Sequence, residues 1–210
     1  MDSVSICNLA LNMLGINSIT SFEEKTATAQ LCREFFPVLR NRVLRDHDWS
    51  FAAKAVKLVQ TADISSIDRE KPFVCTVPGD CLAMRYILED LPFRPWGRFV
   101  MVPALPATLV YTARIEDATL FDDTFSAALQ YLLAAEIGMS HTRDMQLINM
   151  YEQKYQRTLQ LARSFDSREN SDYYQHRRRS RWISEPDNDS IRASCGQSVN
   201  WVQGTEGVQK

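Results

Sequence analysis

The sequence predicts a mainly α fold: an antiparallel helical bundle with a small inserted antiparallel β region and a long extended C-terminal tail. Three observations lead there. Apolar residues recur at helical spacing through residues 1–50 and again through 116–170. Between them, residues 51–115 lose that period and break into short runs rich in Val, Ile, Thr and aromatics, bounded by Pro and Gly. From residue 171 to 210 the chain is polar and has no sustained period.

The first helix follows from Val4, Cys7, Ala10 or Leu11, and Leu14. Asp2 or Ser3 can cap its start, and Gly15 suits a left-handed stop. Ser21 and Glu24 read as a capping box that opens a second, longer helix. Its stripe is Ala27, Leu31, Phe35, Val38 or Leu39, and Arg42, and Pro37 within it predicts a kink near Phe36. Strands are predicted over 51–60, 73–77, 81–88, 98–102 and 108–115. A third helix runs from Asp117 to Met139, apolar on nearly every face at LQYLLAAEIG and therefore central. A fourth spans about Arg143 to Phe165, with Leu147, Ile148, Tyr151, Tyr155, Leu159 and Ala162 inward. Residues 173–210 cannot bury enough apolar surface alone to offset the entropy of ordering, so they are expected to order only on binding. Extended, such an arm reaches on the order of 125 Å at about 3.3 Å per residue.

Composition narrows the function. Hydrophobic residues make up 45% and charged residues 24% of the 210, which fits a folded protein and not one disordered throughout. A net charge of −2 supplies no global attraction to DNA or to an anionic membrane. The cysteines, Cys7, Cys32, Cys75, Cys81 and Cys195, form neither a C-x-x-C pair nor a Cys/His cluster. Reduced thiols in a cytosolic setting follow, with core packing for Cys7 and Cys32 and no structural zinc. The N-terminus lacks a basic leader, and no apolar run reaches a membrane span, so neither export nor insertion is expected. Phosphate-cradling glycine loops, H-E-x-x-H and G-x-S-x-G are absent from the sequence, so no cofactor and no catalytic residue is assigned.

Five segments, in this order, carry a resemblance: ICNLALNMLG (6–15), LRDHDWSFA (44–52), VPGDCLAMRYI (77–87), YTARIEDATLFDDTFSAALQYLLAAEIG (111–138) and the Tyr151/Tyr155 helix running into ARSFDSRE (162–169). Together they touch most of residues 4–170. The chain resembles the head-to-tail adaptors of short-tailed bacteriophages, the tail tubular protein A family. The resemblance implies a non-enzymatic structural protein of the virion, assembled in the host cytoplasm and placed at the head-tail junction. It implies a ring, commonly of twelve subunits, whose partners are the portal protein, a tail nozzle component and further copies of itself. Viral DNA would pass through without specific binding. Family members carry C-terminal extensions that embrace neighbours or climb onto the portal; the long tail here departs from shorter relatives.

Within that tail, Tyr173, Tyr174, Arg177, Arg178, Arg179, Arg181, Trp182, Ile183 and Trp201 are the candidate docking residues for the portal or a neighbouring subunit. Interleaved guanidinium and aromatic groups suit acidic protein grooves and interface anchors. They also suit nucleic acid, so the alternative is a nucleic-acid-binding assembly factor using the Arg cluster. A merely solvated tail is the plainest reading.

Several body residues invite chemistry but have plainer readings. His47 between Asp46 and Asp48 could be an oriented base; with Trp49 it reads instead as a helix end, a cation at the negative pole of the dipole with the aromatic folding into the core. Glu116, Asp117, Asp122 and Asp123 could be paired acids, but carboxylates at a helix start are expected from the dipole. Glu136, inside an apolar run, calls for a partner such as Arg40 or Arg42. His141 beside Asp144 reads as a turn.

Overall fold

The computed structural model describes residues 1–61, 68–141 and 144–169. Its architecture is mixed α/β, which corrects the mainly α expectation. Four helices are joined by two three-stranded antiparallel sheets, and helix accounts for 49% and strand for 19% of the described region. The elements are α1 (Ser3–Met13), α2 (Ala27–Asp46), β1 (Ala53–Lys57), β2 (Phe73–Thr76), β3 (Cys81–Ile87), β4 (Arg94–Trp96), β5 (Phe99–Val102), β6 (Thr108–Ala113), α3 (Asp123–His141) and α4 (Met145–Glu169).

Asp2 caps α1, accepting a hydrogen bond from the Ser5 amide at 2.9 Å. At the other end Gly15 adopts φ +69°, the Gly15 amide reaches the Asn12 carbonyl and the Ile16 amide reaches that of Leu11. Those two bonds are a Schellman motif, which a residue with a Cβ would strain. The start of α2 differs from expectation. Thr26, not Ser21, is its cap, accepting from the Ala29 amide at 3.2 Å. Glu24 instead accepts from the Thr20 amide at 2.7 Å, so the Ser21 to Glu24 signal builds a turn ahead of the helix. The helix runs unbroken through Pro37, which lies on its exposed side, where water can satisfy the carbonyl that proline leaves without a donor.

Sheet order is β1-β6-β3 in one sheet and β2-β5-β4 in the other. The β4–β5 hairpin was not anticipated, because Pro95 reads as a boundary. β4 is an edge strand paired only to β5, where a proline is tolerated, and Gly97 at φ +58° supplies the tight loop. The outer strand β3 is irregular in its pairing with β6, with register shifts between Cys81 and Ala83 and between Met84 and Tyr86, and such bulges disfavour pairing with a further strand.

The physical reason for the mixed class lies in β6. Five of its six residues are buried, so the β1-β6-β3 sheet is a wall of the helical core and not an appendage. One continuous apolar cluster includes Ile6 of α1, Leu44 of α2, Leu129 of α3 and Tyr155 of α4 together with Leu109 of β6 and Val100 of β5. Met1–Glu169 accordingly forms one compact unit. As expected from LQYLLAAEIG, α3 is central: it packs against α1, α2 and α4, and Phe125, Leu129, Leu133 and Ile137 are fully buried.

Candidate functional site

A polar cluster sits where α2 ends, and it ties the helices to the sheet. His47 is the C-cap of α2 in extended backbone and is buried, edge-on to Trp49 with ring centres 4.8 Å apart. Trp49 donates its indole N–H to the Val43 carbonyl at 2.8 Å and meets Phe125 edge-on at 5.2 Å. Phe51 and Phe121 complete the aromatic group. His47, Asp48 and Trp49 thus stand at the end of α2, with the Trp49 ring turned into the core.

Arg85, unsuspected from the sequence, ties this corner to the sheet. It sits at the second register shift of β3, and its Nε donates to Thr112 Oγ1 of β6 at 2.6 Å. Nη2 donates to the His47 carbonyl at 3.0 Å and the Leu44 carbonyl at 3.4 Å, while Nη1 pairs with Asp48 Oδ1. A single planar fork thus satisfies carbonyls at the C-terminus of α2, where a positive charge is also favoured by the helix dipole. The available signal was a lone arginine inside the strand run CLAMRYI.

On the other flank, Tyr155 of α4 is fully buried and donates to Asp46 Oδ2 at 2.5 Å, and Arg163 donates to the Asp46 carbonyl at 3.1 Å. Burial, and then the bond to Asp46, hold the Tyr155 hydroxyl well above the usual tyrosine range. Tyr151 donates to the Met13 carbonyl at 2.6 Å. Both tyrosines therefore fasten α4 to the first two helices.

Two of the resembling segments acquire structural roles. In ICNLALNMLG, Asn8 imitates a backbone group: it accepts from the Ile19 amide and donates to the Ile19 carbonyl, both at 2.8 Å. Asn12 accepts from Ser18 Oγ at 3.2 Å, so the two asparagines pin the loop that follows α1. In VPGDCLAMRYI, Asp80 accepts from Lys54 Nζ at 2.9 Å and from the Tyr111 hydroxyl at 3.1 Å, while its carbonyl takes the Arg114 amide at 2.7 Å. Lys54 first, and then Tyr111, hold the Asp80 carboxyl below its ordinary value. Burial and then Asp80 push the Tyr111 hydroxyl up to about 12.

The acidic residues divide as the plainer reading has it. Asp117 caps a single 3-10 turn through the Thr119 amide, and Asp122 accepts from the Thr124 amide at 3.0 Å ahead of α3. Glu136 pairs with Arg42 at 3.1 Å, and each side chain is partly exposed. Arg40 is the buried arginine, its Nε and Nη2 donating to Asn41 Oδ1. Desolvation lowers its pKa, opposed by the charge of Glu116. Asp144 accepts from the amides of Gln146 and Leu147 and so opens α4.

A cleft of about 170 Å³ lies beside the aromatic corner, lined by Trp49, Ser50, Phe51, Asp122, Thr124, Ala162 and Phe165. Among the described residues, no three His, Cys, Asp or Glu converge as a metal site would require, and no helix is long and apolar enough to cross a membrane. Tyr173, Tyr174, Arg177, Arg178, Arg179, Arg181, Trp182, Ile183 and Trp201 all lie outside the described residues. No model of a known protein family matches this chain, and no curated protein matches it.

Proposed function

We propose that the protein is a structural virion component, a head-to-tail adaptor that forms a ring between the portal and the tail nozzle and lines the DNA channel. The observation that carries the reading is the ordered set of resembling segments across residues 4–170, followed by the Arg- and aromatic-rich arm. Charge supports the division of labour. The body, residues 1–169, holds 18 Lys and Arg against 21 Asp and Glu, whereas residues 173–183 hold four arginines and no acid. An acidic body suits a duct through which DNA must slide without being gripped, since phosphate binding requires several cationic contacts.

In this account the bodies pack side by side, the sheets face the next tail component, and the arm orders against the portal. Ordering the arm costs conformational entropy that only a multivalent partner offsets, which restricts attachment to correctly assembled heads. Replacing Arg177, Arg178, Arg179 and Trp182 together by Ala is expected to weaken attachment to portal-bearing heads by about 100-fold or more, with the melting temperature unchanged. Co-sedimentation with such heads reads the outcome, and undiminished attachment would dismiss the docking role. Were the arm instead a nucleic-acid grip, the parent chain would bind DNA with a steep salt dependence that the same substitutions abolish.

A further inference from the structure

All three residues of β4 are exposed. At the tip of the β4–β5 hairpin Trp96 leans on Phe99, with ring centres 6.2 Å apart, yet 37% of it stays open to solvent. Residues 91–102 hold Arg94 and Arg98 and no acid. Arg94 reaches Asp68 at 3.6 Å, a carboxylate that Lys71 shares. Among the described residues, neither the Arg98 guanidinium nor the Trp96 indole N–H has a partner. An exposed tryptophan flanked by arginines has the composition of an interface anchor. Pro95 removes a donor from β4, so the hairpin is suited to bind through its side chains and not by adding a strand. The cleft beside the aromatic corner has the complementary character. Trp49, Phe51 and Phe165 line it together with Asp122 and Thr124, and its volume of about 170 Å³ has room for an aromatic side chain, since an apolar cavity of about 150 Å³ takes up benzene. Asp122 commits Oδ2 to the Thr124 amide, and among the described residues its Oδ1 and the neighbouring exposed Asp123 carboxylate are unpaired.

We propose that Trp96 of one copy of the chain inserts into the aromatic cleft of the next copy. Its indole N–H donates to Asp122 there, and Arg98 pairs with the Asp122 and Asp123 carboxylates. A basic aromatic knob thus meets an acidic aromatic hole, and both groups gain the partners they lack in the single chain. The knob belongs to the β2-β5-β4 sheet, whereas the hole is built from residues 49–51, 122–124 and 162–165, so a copy whose hairpin is seated still offers its own cleft. Such a heterologous contact repeats head to tail, and it closes into a ring where the rotation permits. One anchor makes a small interface, with a dissociation constant on the order of 0.1–1 mM, so the free chain is monomeric at ordinary concentrations and only a template that gathers copies completes the circle. Nucleic acid is the poorer occupant: two arginines, one already shared with Asp68, are too few to track a phosphate backbone. The place of this contact in a ring between portal and nozzle rests on the adaptor reading; the pairing of copies does not.

The test uses the purified full chain without portal, so that its failure is separate from failure of the adaptor reading. Sedimentation velocity at about 1 mM protein is expected to show self-association of the parent chain, weakened about 30-fold or more by Trp96→Ala, which removes the knob, or by Phe165→Glu, which spoils the hole. Both positions are partly exposed, so circular dichroism should find both variants folded. Mixed together, they are expected to form one-to-one pairs and nothing larger, because only the hairpin of the Phe165→Glu chain and the cleft of the Trp96→Ala chain remain. A photoreactive phenylalanine analogue at position 96 of an isotope-labelled parent chain should cross-link to residues 49–51 or 162–165 of an unlabelled copy, which decides the matter even where a variant fails to fold. A link confined to residues 173–210 of the same copy would overturn the proposal by giving the hairpin a different seat. So would a parent chain that stays monomeric at that concentration, or DNA binding that Trp96→Ala abolishes while the association of copies is untouched.

Discussion

Arg85→Met is expected to destabilise the body by about 3 kcal/mol, lowering its melting temperature by about 6–12 °C. The expected effect is large because one side chain serves four acceptors. Its loss strips donors from the Leu44 and His47 carbonyls at the end of α2 and leaves the nearly inaccessible Thr112 hydroxyl without its partner. Each buried polar group left unmet costs about 1–3 kcal/mol. The pair with Asp48 adds little to the total, because that carboxylate is half exposed and solvent screens it. Arg85→Lys should recover only a small part, since an ammonium cannot reproduce the planar fork. Urea unfolding measures the loss, and a change under about 1 kcal/mol would mean that this corner does not couple sheet and helices.

Deleting residues 173–210 is expected to leave a folded body whose melting temperature shifts by no more than about 1–2 °C, while attachment to portal-bearing heads falls by about 100-fold or more. The first half follows from the described core. Met1–Glu169 is a compact unit with its own apolar core, which holds Tyr155, Phe125, Ile6 and Leu44. The second half follows from the proposed role of the arm. Circular dichroism and co-sedimentation separate the two: an unfolded product would place the arm in the body's stability, and normal attachment would remove it from docking.

The helices were legible because their signals are local. Asp2, Gly15 and the apolar stripes of α1, α3 and α4 act over one or two turns, and the structure uses them as read. The Arg42 to Glu136 pair was also legible, since a carboxylate in an apolar run demands a partner. The weight of the β region was not. Whether β6 lines a core or decorates it depends on pairing with β1 and β3 and on sharing one apolar cluster with the helices, which are long-range facts invisible to periodicity. The misread start of α2 has a similar origin: Ser21 and Glu24 have capping-box spacing, but Thr26 lies closer to the first residue that packs, Ala29. Arg85 and Asn8 were missed because each acts through backbone groups distant in sequence, at the end of α2 and at Ile19 respectively.

Light scattering on the purified chain, alone and mixed with portal rings, tests the adaptor account most directly. The account predicts a 24.1 kDa monomer alone and a closed ring of many copies once portal is added, with no such ring from the chain lacking residues 173–210. A chain that stays monomeric beside portal, or a ring that forms on portal equally well without the arm, would contradict it.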